Sequence, residues 1–253
     1  MRRTIALIGS RLASLVASML VSSFLVFGAL QLAPGSPLAS LSGGRTLPPE
    51  AEARLIARFH LDDPFLVRYV KWLGDVVRGD LGESFVFRTE VRDLIATRLP
   101  TTALLVVMAS ILIVGLGVGA GFLGALRGGR TDSAIMVGTA AGQAIPSFVA
   151  AMVLVWLFAI KLGWFPAIGS GSGLVDRIYH LTLPSVALAI GQTAYIARVS
   201  RASVLDELDH DHVQTAIARG LPRRYVTRTH VLRNAAIPII TVSGLTVAGL
   251  AAT

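Results

Sequence analysis

Cysteine is absent from this chain of 253 residues, and lysine is nearly so, with only Lys71 and Lys161. The first absence excludes disulfides, thiolate metal sites and cysteine nucleophiles. The second excludes a phosphate-binding loop, because Lys71 follows Val70 and Lys161 follows Ile160, so neither ammonium stands behind a glycine to meet a nucleotide. Charge is scarce too: 15% of residues are Asp, Glu, Lys or Arg, against about a quarter in an average soluble domain. There is no His-Glu-x-x-His, and Gly169-Ser-Gly-Ser-Gly173 lacks the register of a nucleophile elbow. The tightest candidate metal cluster, Asp209-His-Asp-His212, sets His210 and His212 about 200° apart on a helix, so they cannot share one ion. Catalysis on this chain has no visible machinery.

Apolar length is what the sequence has instead. Hydrophobic residues make up 53% and mean hydropathy is +0.68, the composition of an all-α integral membrane protein. About 20 apolar residues cross a ~30 Å hydrocarbon core. Five such runs are present: Leu12 to Leu32, Thr101 to Leu126, Ala134 to Ile160, Leu181 to Val199, and Asn234 to the end at Thr253. Residues 1–32 are read as a retained N-terminal anchor, since the run is long for a signal peptide and Leu32-Ala-Pro-Gly is a poor cleavage site. Residues 33–100 form a polar loop, and 101–253 a transmembrane core that contains a polar hairpin at about 204–233.

Charge gives the orientation. The N-terminus carries +3, the connection from Arg127 to Asp132 +1 and the region from Arg198 to Arg233 +3, while the loop from Ala33 to Pro100 balances nine bases with nine acids. The three positive segments alternate correctly for one membrane side, which places them and the N-terminus in the cytoplasm. The net charge of +8 is therefore a topology signal and not a nucleic-acid footprint.

The loop 33–100 has helix punctuation of its own and predicts a small extracytoplasmic helical lobe. Asp63-Pro64 reads as N-cap and first residue, Leu66, Tyr69, Val70, Leu73, Val76 and Val77 recur at helical spacing, and Gly79 can close the helix. A weaker helix is expected from Pro49 to Phe59. The lobe serves either as a cap on the spans or as a landing surface for an outside partner. Within the spans, Gly115, Gly117, Gly119, Gly121 and Gly124, with Gly138 and Gly142, permit close helix approach. Gln143, just before Pro146, and Gln192 are polar groups at membrane depth that either line a pathway or bond between helices.

The hairpin reads as helix, turn, helix. Asp211 can cap a short helix with Val213, Ala216 and Ile217 on one side, Gly220 can supply a left-handed terminus, and Pro222 can open the next helix. Small residues at Ala216, Ala218 and Gly220 suit a helix lying flush in a partner's groove.

Gln214-Thr-Ala-Ile-Ala-Arg-Gly-Leu221, followed by His230-Val-Leu-Arg-Asn-Ala-Ala-Ile-Pro238, resembles the cytoplasmic loop of membrane permease subunits of bacterial ABC importers, in the peptide/nickel branch. Gly79-Asp-Leu-Gly-Glu-Ser84, Ile145-Pro-Ser-Phe148 and Leu162-Gly-Trp-Phe-Pro166 support the likeness. The general importer loop begins Glu-Ala-Ala where Gln214-Thr215-Ala216 stands, so no role of that acid carries over. The resemblance implies a type I permease bundle of six spans in the plasma membrane, of which this chain would hold five. It implies a second homologous permease, two cytoplasmic ATPase subunits that carry the ATP and Mg²⁺, and an extracytoplasmic substrate-binding protein. No cofactor falls on this chain. Coupling to the ATPase would fall on Asp211, Val213, Gln214, Thr215, Ala216, Ile217, Gly220 and Leu221, and the pathway on Gln143, Pro146 and Gln192. Cargo would be a di- or oligopeptide, with a nickel chelate or glutathione as alternatives in the branch. A channel or carrier without ATPases is the rival mechanism.

Overall fold

In a computed structural model the described residues, which are 2–32, 50, 53, 56, 62–84, 86–87 and 89–252, form helices and turns with one isolated antiparallel bridge between Glu83 and Glu90. The chain divides into two units, Met1–Thr97 and Arg98–Thr253.

In the first unit, α1 (Arg2–Leu32) contains a 23-residue apolar stretch, Leu7–Ala29, long enough to cross a membrane. Its serines do not interrupt it, because the hydroxyls of Ser10 and Ser23 donate back to the carbonyls of Leu7 and Leu20. The expected lobe helix is α2 (Phe65–Val77). It starts differently from the expectation: Pro64 is the N-cap, without a side-chain bond, and Asp63 instead pairs with Lys71 at 2.6 Å. Gly79, at φ +90°, follows its end as expected. Tyr69 is the buried residue of the apolar stripe, its hydroxyl 2.9 Å from Ser23 Oγ, within a cluster of Phe24, Phe27, Phe65 and Trp72 whose rings contact edge-on or tilted. Leu66, Val70 and Val77 stay more than 60% exposed. The weaker helix expected over 49–59 lies outside the described residues, apart from 50, 53 and 56.

The second unit is arranged around one long helix. α3 (Val91–Arg127) enters it at residue 98 and runs to Gly128, which with Gly129 has φ near +60°. Two successive positive-φ residues break the helix at a single linking position, a conformation that costs a side-chain-bearing residue about 1–2 kcal/mol. α4 (Gly129–Ala144) follows, then α5 (Ser147–Leu154), which widens into a π-helical segment, Val155–Lys161. The third expected span, Ala134 to Ile160, is therefore not one rod: it is bent by 94° between Ala144 and Ser147. The cause is local, since Ile145 before Pro146 is held extended (φ −88°, ψ 118°) and Pro146 has no N–H to carry a helix through.

α6 (Leu174–Asp209) is the central helix, packed by α4, α5 and the last helix. Its inner face is small: Ser185, Ala187, Ala189, Ala194, Ala197 and Ser200 are buried. The glycines of α3 meet this face selectively. A Cβ on Gly117 would stand 2.8 Å from Ile196, one on Gly121 2.7 Å from Ser200 Cβ, and one on Gly124 2.9 Å from Asp132 of α4. Gly115, Gly119 and Gly138 meet nothing within 4 Å, so they are not approach points. Among the described residues three helices are long and apolar enough to span by length and composition, or four if the bent pair counts once. The fourth expected span lies inside α6, which is outside that count on composition, since residues such as Gln192, Thr193, Arg198 and Arg201 dilute its apolar run.

After α6 come α7 (Asp211–Ala218), α8 (Arg223–Val226) with a π-helical turn at Thr227–Val231, and α9 (Leu232–Ala251).

Candidate functional site

The hairpin is a short helix folded onto the end of α6 and the start of α9. Val213 and Ala216 point inward, joining Val204, Val226, Val231, Ala235 and Ile239 in one apolar cluster, against which Val118, Phe122, Ala125 and Leu208 also pack. The helix start departs from the expected cap: His210 is the N-cap, with no side-chain bond, and Asp211 sits in the first turn, where its charge complements the helix dipole. The His210 ring is held from the other side, its Nδ1 donating to the Asp206 carbonyl at 2.8 Å. That bond, with lesser help from nearby acids, raises the His210 pKa above its ordinary value. A raised value means that the linkage is present below the unfolded pKa and is lost as pH rises through the folded one.

Gly220 has φ +76°, and the Leu221 N–H returns to the Ala216 carbonyl at 3.3 Å, the left-handed helix end that the sequence predicts. Pro222 becomes the N-cap of α8 instead of its first residue. Among the expected coupling residues the structure draws a line. Val213 and Ala216 are buried in the chain's own core, while Asp211, Gln214, Thr215, Ile217, Gly220 and Leu221 are exposed. Val213, Ala216 and Ile217 share one side of the helix by their spacing, but Ile217, at the margin of the contact, stays 45% exposed. Ala216 is therefore small because α7 lies close to its own chain.

Polar contacts that the sequence does not announce hold this arrangement. Glu207, buried near the end of α6, accepts from Asn234 Nδ2 of α9 at 2.8 Å and lies 2.9 Å from His212 Nε2 of α7. One carboxylate thus ties three helices. Asp132 of α4 receives both arms of the Arg201 guanidinium of α6 in a bidentate pair. The fork geometry fixes the rotation of one helix against the other. Asn234 and Arg201 bond to acids 27 and 69 positions away in sequence, so no local spacing flags either contact.

Of the expected pathway residues, Gln143 is in the last turn of α4, Pro146 at the bend and Gln192 midway along α6; all three are exposed. Gln143 Oε1 accepts from Arg198 Nη2 at 2.7 Å, so it does bond between helices. Among the described residues no group of three or more metal-ligating side chains could hold an ion.

Comparison with known proteins decides the family. The family model described as "Binding-protein-dependent transport system inner membrane component" matches residues 113–253, more than half of the chain, including the whole hairpin. The chain belongs to this family of ABC importer permeases. The companion N-terminal model, "Binding-prot-dependent transport system membrane comp, N-term", matches residues 4–106. The oligopeptide transport system permease protein OppB of Escherichia coli (strain K12) is 39% identical to this permease over 226 residues, covering 88% of this chain and 72% of the relative. Oligopeptide transport system permease protein AppB of Bacillus subtilis (strain 168) is 36% identical over 230 residues, with the same coverages of 88% and 72%. A probable peptide ABC transporter permease protein, y4tP of Sinorhizobium fredii (strain NBRC 101917 / NGR234), is 37% identical over 246 residues, covering 94% and 77%. The permease is thus a multi-pass membrane protein whose family role is transport.

Proposed function

We propose that this permease forms half of the translocation pathway of an ATP-driven importer of di- or oligopeptides, paired with a second homologous permease. Two cytoplasmic ATPase subunits drive it and a binding protein delivers cargo from outside. Its N-terminus and hairpin lie in the cytoplasm of a bacterial inner membrane, residues 33–100 outside. The relatives' names support the cargo, and the positive segments at the N-terminus, Arg127–Asp132 and Arg198–Arg233 support the orientation.

The observation that carries coupling is the two-sidedness of α7. Val213 and Ala216 lock it to the core, while Gln214, Ile217 and Leu221 are left outward at the end of a helix fastened to α6 and α9 through Glu207. A push on the outward face therefore moves the central helix as a body, since packed elements respond as units. ATP-driven closure of the ATPases would rock α6 and open a pathway along Gln143, Pro146 and Gln192 alternately to the two sides.

The test is substrate-stimulated ATP hydrolysis by the reconstituted complex. Ile217→Asp places a charge at an interface while leaving the inward face alone, so stimulation should fall at least tenfold, the scale of one interface anchor at ~1.4 kcal/mol or more. Membrane insertion and pairing with the second permease should be unchanged. Full stimulation in this variant would refute coupling through α7.

A further inference from the structure

On α6 the residues that remain exposed between Gly191 and Ala202 include Gln192, Tyr195, Arg198 and Ala202, whereas Ala194, Ile196, Ala197 and Ser200 are buried. Helical spacing thus gathers an amide, a phenol and a guanidinium onto one open flank, with about 9 Å of rise from Gln192 to Arg198. Gln143 meets the end of this flank from α4, at 2.7 Å from the Arg198 guanidinium.

Arg198 differs from its neighbour one turn on. Arg201 has both arms satisfied by the Asp132 carboxylate, while Arg198 forms no ion pair with any described residue and spends one donor on the neutral oxygen of Gln143. A guanidinium has five N–H donors in a planar fork. Four remain for a ligand, and the Gln143 bond sets the plane of the fork. An arginine at the end of an apolar segment reaches either lipid phosphate at the interface or a solute in the pathway, and the Gln143 bond draws this one towards α4.

We propose that Arg198, oriented by Gln143, is a cargo-contacting residue of the permease that engages the C-terminal carboxylate of the peptide in transit, with Tyr195 and Gln192 as hydrogen-bonding neighbours along its course. This rests on the importer reading above and adds the group that recognises the cargo. A carboxylate is the planar bidentate acceptor that a guanidinium fork matches. Selection for the free acid is then exercised at the cytoplasmic end of the permease pathway as well as on the binding protein.

The test uses proteoliposomes holding the whole complex, with both permeases, both ATPases and the binding protein. Tri-alanine and its C-terminal amide are each supplied at concentrations that saturate the binding protein, and ATP-dependent initial uptake rates are compared. Because the binding protein is common to all samples, a change in the acid-to-amide rate ratio belongs to the permease. Arg198→Gln should lower that ratio about tenfold, Arg198→Lys less, and Gln143→Leu, which keeps the cation but frees its orientation, about threefold. A ratio equal to wild type in Arg198→Gln and Gln143→Leu overturns the proposal, even if overall uptake falls, since Arg198 then answers a protein group. Should the wild-type complex take up neither peptide with ATP, the peptide-importer reading itself fails, an outcome separate from a normal wild-type ratio that the variants leave unmoved.

Discussion

At the scale of single residues, the glycines of α3 show how one atom sets a helix contact. Gly121 faces the α6 backbone so closely that a Cβ would stand 2.7 Å from Ser200 Cβ and 2.9 Å from the Arg201 nitrogen, with the Ala197 carbonyl nearer still. Backbone cannot rotate away as a side chain can. Gly121→Ala should therefore cost ~1–3 kcal/mol by overpacking and lower the midpoint of thermal unfolding in detergent, whereas Gly119→Ala, which meets nothing within 4 Å, should leave it in place. Equal midpoints for the two variants would contradict the close approach. From the sequence these glycines are equivalent members of one stripe. Only the rotation of α3 about its axis separates them, and that is settled by α6, some eighty residues further along.

At the scale of elements, α7 is held by two unlike means, an apolar cluster and the Glu207 carboxylate shared with His212 and Asn234. Removing the shared acceptor gives up two contacts whose partners, His212 and Asn234, are exposed to water, at ~0.5–1.5 kcal/mol for each hydrogen bond. Glu207→Leu should then loosen the hairpin, and trypsin cleavage at Arg219 in the detergent-solubilised protein should accelerate about tenfold, the rate equivalent of ~1.4 kcal/mol. An unchanged cleavage rate would show that the apolar cluster alone anchors α7. The hairpin's outline was legible, since Gly220 and Pro222 punctuate it and its motif is local. Which side of α7 turns inward was not, because Ala216 is small for contact with its own chain, and a small residue reads the same whether it meets its own core or a stranger. Glu207 and Asn234 lie 27 positions apart, beyond any local pattern. The helix α6 outran its apolar run at both ends for a related reason: enclosed by α4, α5 and α9, its composition answers to protein contact and not to lipid.

For the whole molecule, orientation is the property on which the rest depends, and it can be measured directly. A cysteine at Ser84, the chain having none of its own, should react with an impermeant thiol reagent on intact cells, and one at Ala218 only after the membrane is opened. The reverse pattern would invert the positive-inside assignment and remove α7 from the side where ATP is available. The 94° bend at Ile145–Pro146 also bears on how the protein is made. α4 has 16 residues, ~24 Å of helix and short of the hydrocarbon thickness, and a helix broken at a corner leaves end carbonyls that lipid cannot hydrogen-bond. Those arms cannot leave the translocon as a finished rod. Sheltered by α6 they can leave it, so the expectation is that residues 129–161 integrate late, and a chain ended before residue 174 should leave them extractable from the membrane by alkali.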